Sequence, residues 1–306
     1  MSIVERALQK AQGSKPLPPK TEVPAVAIAR AAAQKTREIG SPTAAQPNAS
    51  AVQEPRPPAE VVKLDSGTLR ELGVLPPSGT DERLTEQFRR VKRPIVDFAI
   101  GRGASDTGRT NVAMVTSSVA NEGKTFNSFN LALSIARERD VSVLLVDADV
   151  AKRHISEALG LQSRQGLTDC LADQTIDPES LVLGTSVAGL SILPAGRRTS
   201  AAPELFASER MADIVRMLGD ASARRIVLFD SSPLLLTNES QALTRLVDQI
   251  VLVVRAESTP QPVLLEAIGL LDRGKTIRCI LNQALTSGMS EYYYGYGYHQ
   301  NDRPAE

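Results

Sequence analysis

The chain has no tryptophan, two cysteines and two histidines, and all five of its tyrosines lie between residues 292 and 298. Cys170 and Cys279 fit no metal-ligand spacing, and each falls in an apolar stretch, so both read as small core residues of a reducing cytoplasm. Neither His154, expected to face solvent at a helix start, nor His299 has a partner constellation, and neither is assigned a catalytic role. There is no excess of either charge, with 35 basic against 35 acidic side chains, which argues against nucleic-acid binding through global positive charge. No apolar run reaches the ~18 residues of a membrane-spanning helix. Met1 to Arg6 lack the apolar core of a signal peptide. The expectation is a cytoplasmic protein, with any membrane association coming through a partner.

What is present is a chain of 306 residues, 42% of them hydrophobic, enough for one large α/β domain with appendages. Residues 3 to 11 fit a short amphipathic helix with Ile3, Val4, Ala7, Leu8 and Ala11 on one face. From about 13 to 80 the chain is rich in Pro, Ala, Ser and Gln and lacks aromatics, which reads as a flexible tether. Order is expected near Asp81, with a helix over 81–99 that carries Glu86, Arg89 and Lys92 and is bent or broken at Pro94. Apolar runs at 112–116, 143–146, 190–193, 226–229, 250–254 and 277–281 lack polar alternation, as strands buried on both faces do. With helices between them they predict a doubly wound, mostly parallel sheet. The expected domains are a tether over 1–80, a core over 81–290 and a tyrosine-rich tail over 291–306.

The chemistry gathers at strand ends. After the first run comes Ser117-Ser118-Val119-Ala120-Asn121-Glu122-Gly123-Lys124-Thr125, whose last three residues open a helical stretch that runs to Arg139. A strand, a tight loop and Gly-Lys-Thr at a helix start suit a polyphosphate: backbone N–H groups face the anion, Lys124 neutralises it, and Thr125 offers a hydroxyl to Mg²⁺. Ser118 stands where the strict P-loop pattern has Gly, so the loop is a variant. The next strand ends in Asp147-Ala148-Asp149 and a later one in Asp230, where open α/β sheets bind ligands and where carboxylates can hold Mg²⁺. An aspartate after a strand is also a common helix cap; the pair beside a P-loop favours function.

The tail holds Tyr292, Tyr293, Tyr294, Tyr296 and Tyr298, spaced by glycines. It reads as a phosphoacceptor segment, or as a low-complexity adhesive or base-stacking tail.

Together these motifs resemble the bacterial tyrosine kinases of exopolysaccharide and capsule systems, over about residues 81–299. Ser2-Ile3-Val4-Glu5-Arg6-Ala7-Leu8, Phe88-Arg89-Arg90-Val91-Lys92-Arg93-Pro94, Asp147-Ala148-Asp149-Val150-Ala151-Lys152 and Leu193-Pro194-Ala195-Gly196 are most similar to the exosortase-associated tyrosine autokinases. The resemblance implies ATP and Mg²⁺ as cofactors and a nucleotide site of Ser118, Asn121, Glu122, Gly123, Lys124, Thr125, Phe126 and Asn282, the last against adenine. It implies Asp147 as base with Lys124 as its catalytic partner, and Thr125, Asp147, Asp149 and Asp230 as metal contacts. Glu86, Arg89 and Lys92 resemble the family's Glu-x-x-Arg-x-x-Arg ring element, with Lys in the last place. Implied partners are further copies of the chain, a membrane chain-length protein and a tyrosine phosphatase. The chain departs from the family pattern at Ala120 and Asn121, at Ala151, and at Arg153 and Ser232, which replace prolines. Two rival readings use the same P-loop: a partition-type ATPase switch, although Ser117-Ser118-Val119 lacks the extra lysine usual there, and a non-catalytic nucleotide-gated scaffold.

Overall fold

The computed structural model describes residues 61–74, 82–101, 110–222 and 224–284. The expected helix at 3–11, the tether as far as residue 60 and the tyrosine tail lie outside the described residues.

Eight strands form one sheet: β1 Val61–Val62, β2 Val112–Ser117, β3 Ser142–Ala148, β4 Leu183–Thr185, β5 Leu190–Leu193, β6 Arg225–Ser231, β7 Gln249–Arg255 and β8 Thr276–Asn282. Their order is β1-β4-β5-β3-β6-β2-β7-β8. All pairings are parallel except β4 with β5. The four residues between β4 and β5 are too few for a crossover, and Thr185 closes the hairpin, accepting from Val187 N at 3.1 Å and donating to Leu190 O at 3.0 Å. All six expected strands are present. β2, β3, β6 and β7 are buried almost end to end, as their unbroken apolar runs require.

Nine helices are described: α1 Ser66–Glu71, α2 Glu82–Ala99, α3 Lys124–Ala136, α4 His154–Ala158, α5 Leu167–Ala172, α6 Ala202–Phe206, α7 Glu209–Asp220, α8 Asn238–Thr244 and α9 Gln261–Gly269. A 3₁₀ turn covers Pro178–Leu181. Among these described elements, no helix is long and apolar enough to cross a membrane.

The folded part begins earlier than the expected boundary near Asp81. Val61 and Val62 pair with Gly184 and Thr185, Ser186 N donates to Val62 O at 2.9 Å, and Leu64 N donates to Ser186 Oγ at 3.0 Å. Leu64, Leu69 and Val74 then bury against the main core. The prolines on either side of this piece make it read as tether, but its own sequence from Val61 to Val74 contains none.

The expected break at Pro94 does not occur: α2 runs through it to Ala99. Phe88, Ile95, Val96 and Ala99 are buried along its inner side, and that packing outweighs one missing N–H. Lys92 also departs from expectation. Six residues on from Glu86, at about 100° per residue, it lies about 120° round the helix. It is 8% exposed, donates to Ser134 O at 2.7 Å and pairs with Glu138 at 2.8 Å, so it fastens α2 to α3. Glu86 and Arg89 stay outside and pair with each other at 3.3 Å.

Candidate active site

The loop after β2 is braced from within. Glu122 Oε2 accepts from Val119 N at 2.8 Å, while its other oxygen accepts from the Thr259 hydroxyl. Asn282 Nδ2, at the end of β8, donates to Glu122 O at 2.9 Å. Gly123 has φ +95°, and a Cβ there would lie 2.0 Å from Asn282 Nδ2, so both backbone and space demand glycine. Asn121 also has positive φ, at 64°, a conformation that asparagine tolerates better than most residues.

α3 then starts at Lys124 with no side-chain cap and no acidic residue in its first turn. Its leading N–H groups are left to an anion, and the helix dipole favours one. Glu122 and Phe126 differ from Lys124 and Thr125 in what their side chains do. The Glu122 carboxylate is spent on the loop, and the Phe126 ring packs against Phe88 at 6.1 Å. The Asn282 side chain holds the loop rather than standing apart from it. Ser118 Oγ is buried without a hydrogen-bond partner.

Across from this helix start lie three aspartates. Asp147 and Asp230 are register partners on β3 and β6, and Asp149 follows β3 by one residue. All three are buried. Asp147 Oδ2 accepts from Ser156 N at 2.8 Å and Ser156 Oγ at 2.6 Å. Asp230 Oδ1 accepts from Ser128 Oγ at 2.8 Å, and Asp149 Oδ1 from Ser232 Oγ at 2.8 Å. Lys124 Nζ sits 3.5 Å from Asp149 Oδ2, with these side chains only 6% and 2% exposed.

Burial pushes the Asp147 carboxyl up to about 7; the Ser156 hydroxyl opposes this, and the Asp230 and Asp149 charges add to it. Burial also raises Asp230, to about 6, against the pull of Lys124 and of the Ser128 and Thr125 hydroxyls. Three carboxyl groups beside one lysine form an under-neutralised acidic cluster, which is why two of them hold their protons more tightly than usual.

The geometry therefore brings Lys124, Thr125, Asp147, Asp149 and Asp230 together. Glu86, Arg89 and Lys92 lie apart on α2, and the tail tyrosines fall outside the described residues. His154 is exposed at the start of α4, as expected. Sequence reasoning missed Ser128 and Ser156, and noted Ser232 only as a lost proline. Ser128 carried a faint signal, four residues after Lys124 on the same helical face; Ser156 carried none. Also unexpected is an open cleft of about 400 Å³ that begins at Val150 and Ala151 and runs to Arg198, Thr199 and Glu239.

No protein-family model matches the chain. It is 29% identical over 216 residues to a putative tyrosine-protein kinase, CapB of Staphylococcus aureus, covering 70% of this chain and 90% of CapB. It is 29% identical over 214 residues to the tyrosine-protein kinase YwqD of Bacillus subtilis, covering 69% and 86% of the two chains. Among solved structures, the kinase domain of VpsO is 33% identical, with a TM-score of 0.54, and the match spans 67% of this chain and 98% of that one. A P-loop facing three strand-end aspartates, on a fold and sequence shared with these kinases, places the chain in the family of bacterial tyrosine-protein kinases.

Proposed function

We propose that the chain is an ATP-dependent protein-tyrosine autokinase that phosphorylates its own tyrosines between 292 and 298 in trans and so regulates exopolysaccharide polymerisation or export. The observation that carries this reading is the cluster of Asp147, Asp149 and Asp230, each with one buried oxygen free of hydrogen bonds, with Lys124 at the start of α3 lying 3.5 Å from Asp149. The exosortase-associated group remains the subfamily whose motifs it resembles most.

The same free oxygens test the fit of Mg²⁺. Among the described residues no three acidic, histidine or cysteine side chains close into a ready-made metal cage. That suits Mg²⁺, which keeps waters and shares substrate phosphates rather than filling an all-protein cage. Thr125, Asp147, Asp149 and Asp230 would hold it, directly or through water. When bound, the ion supplies charge neutralisation for the phosphoryl oxygens and helps align them.

The chain's own residues do the rest. The first N–H groups of α3 hold the phosphates, and Lys124 leaves Asp149 to follow their charge. Asp147 accepts the phenol proton as the tyrosine oxygen bonds to the γ-phosphorus and the bond to the departing ADP oxygen breaks. Asn282, which already braces Glu122, borders the adenine. Ser118 and Asn121 shape the loop.

Residues 81–290, together with the packed piece from Val61 to Val74, act as the kinase domain in this scheme, with 291–306 as its acceptor tail. Glu86 and Arg89 face a neighbouring copy in a ring, a membrane chain-length protein recruits and activates the kinase, and a tyrosine phosphatase resets the tail. Each added phosphate brings about −1.5 to −2 charges, enough in one short segment to loosen such a ring.

The test is incubation with Mg-ATP and the membrane partner's activating segment, with phosphate mapped by mass spectrometry beside Lys124→Ala. Phosphate on residues 292–298 in the native chain alone is expected. Phosphate release without labelling would instead mark a partition-type switch, and neither result would mark a scaffold.

A further inference from the structure

The three aspartates are held in one common way. Each has one oxygen tied by a serine hydroxyl: Asp147 Oδ2 by Ser156, Asp149 Oδ1 by Ser232 and Asp230 Oδ1 by Ser128. In each, the opposite oxygen (Asp147 Oδ1, Asp149 Oδ2, Asp230 Oδ2) is buried without a hydrogen-bond partner, although Asp149 Oδ2 is ion-paired to Lys124. The serines come from three separate elements: α4, the segment after β6, and α3.

A buried carboxylate oxygen left without a partner has lost its hydration and gained nothing in return. Two such oxygens on register partners, and a third whose one neighbour is the Lys124 ammonium, each opposite a hydroxyl clamp, are hard to account for as packing. A carboxylate with both oxygens satisfied would turn its charge away from the site, and one with neither satisfied would swing about its χ2 torsion. A single clamp does neither. It fixes the torsion and leaves one oxygen unsatisfied within the cluster.

Ser156 is the clearest case. Its Oγ accepts from Ala195 N at 2.9 Å, which occupies a lone pair and steers the hydroxyl proton to Asp147. Its backbone N–H binds the same oxygen, so Asp147 is held twice by one residue. Ala195 belongs to the segment that continues through Arg198 and Thr199 into the 400 Å³ cleft, so Ser156 also joins the cleft wall to Asp147.

We propose that Ser156, Ser232 and Ser128 are positioning residues of this site, each clamping one aspartate oxygen so that the other is presented to the divalent cation and the acceptor hydroxyl. The proposal rests on the functional reading above and names how its carboxylates are set. It concerns this chain in particular, since Ser232 stands where the family pattern has proline.

The test compares Ser156→Ala, Ser232→Ala and Ser128→Ala in the full chain, with Ser156→Thr and Ser156→Cys beside them. Ser208→Ala, which removes the serine cap accepting from Met211 N at the start of α7, is the structural control. The first readout is the affinity for ADP with and without MgCl₂, measured calorimetrically. Removing a group that orients a metal ligand typically costs about 10–100-fold. Ser232→Ala and Ser128→Ala should therefore reduce the Mg²⁺-dependent gain in ADP affinity by about 10-fold, with metal-free ADP binding unchanged. Ser156→Ala should lower the labelling kcat by about 10-fold while the KM for ATP moves less than about 3-fold, with Ser156→Thr restoring it and Ser156→Cys, a weak donor, not.

Should Ser156→Ala prove too unstable to assay, Ser156→Cys keeps the volume and carries the comparison. The inference is overturned if the serine variants lose melting temperature as Ser208→Ala does but keep both the Mg²⁺ gain and kcat. A native chain whose ADP affinity does not respond to Mg²⁺ would overturn the functional reading itself, a result distinct from unaffected variants.

Discussion

Asp147 and Asp230 stand opposite each other in register on adjacent parallel strands, β3 and β6, both buried and both raised, to about 7 and about 6. In a parallel pair, register partners point to the same face, so the sheet itself brings two like charges side by side. The folded chain therefore retains protons on these groups that an unfolded chain, near the ordinary carboxylate value of 3.8, has lost. Stability falls as pH rises wherever the folded state binds more protons, and each tenfold difference in proton affinity between the two states is worth roughly 1.4 kcal/mol. Without Mg²⁺, this pair should lower the melting temperature as pH is raised from about 4, where the unfolded carboxyls titrate, to about 8, where the folded ones have lost their protons. Thermal melts across that range check it. Asp147→Asn should flatten the slope and raise the melting temperature at the alkaline end, while abolishing tail labelling.

Lys124 and Asp149 form a buried pair that nucleotide binding must reorganise. Removing one member of such a pair typically costs about 3–5 kcal/mol, because the other is left as an uncompensated buried charge. Lys124→Met should thus lower stability sharply as well as ending phosphate binding. Lys124→Met with Asp149→Asn should recover much of the stability and none of the binding. Denaturant unfolding and ADP titration separate the two effects.

Lys92 and Arg89 share a motif but not a role. Lys92→Met removes a buried hydrogen bond from α2 to α3 and an ion pair to Glu138 just beyond α3, so a loss of about 1–3 kcal/mol is expected, with faster amide exchange along α2. Glu86→Ala with Arg89→Ala breaks only an exposed pair and should change stability by less than about 1 kcal/mol. If Glu86 and Arg89 face a neighbouring copy as proposed, the second variant alone should shift the sedimentation profile to smaller species.

Gly123→Ala meets two obstacles, a backbone at φ +95° and the Asn282 amide 2.0 Å from the new Cβ. Nucleotide affinity should fall by at least about 10-fold, near 1.4 kcal/mol. Adding Asn282→Ala should relieve only the steric part, since the backbone strain remains. A double-mutant cycle on ADP affinity measures the difference.

A chain truncated to begin at residue 60 should melt close to the full-length protein, whereas one beginning at residue 81 should melt well below it. The second cut exposes core that Leu64, Leu69 and Val74 cover, and burying one such side chain is worth about 1.5–3 kcal/mol.

The central sheet was legible because β2, β3, β6 and β7 are apolar runs buried on both faces, and the acidic cluster because Asp147, Asp149 and Asp230 fall at the carboxyl ends of β3 and β6 while Lys124 opens the helix after β2. β1 was not legible. Two valines among prolines carry no periodicity, and their pairing with β4 depends on Ser186, more than 120 residues away. Lys92 misled because three-residue spacing looks like one face over two positions and drifts off it by the third. Ser156 gave no warning, since a serine in a five-residue helix has many uses and its contact with Asp147 is set by the turn after β3. Asn282 was placed at the right strand end by resemblance, while its hold on Glu122 came only from geometry.

Phe126 follows Thr125 directly and rests on Phe88 of α2, one helical turn before Lys92 and its contacts with α3. The helix that opens at the phosphate site and the helix that carries Glu86 and Arg89 therefore share one packed face, with the Phe126–Phe88 rings toward its start and Lys92 further along. In mechanical terms the two form one stiff unit. A shift of the helix start on filling the loop would pass to the Glu86 face through that packed seam, with no intervening loop to absorb it.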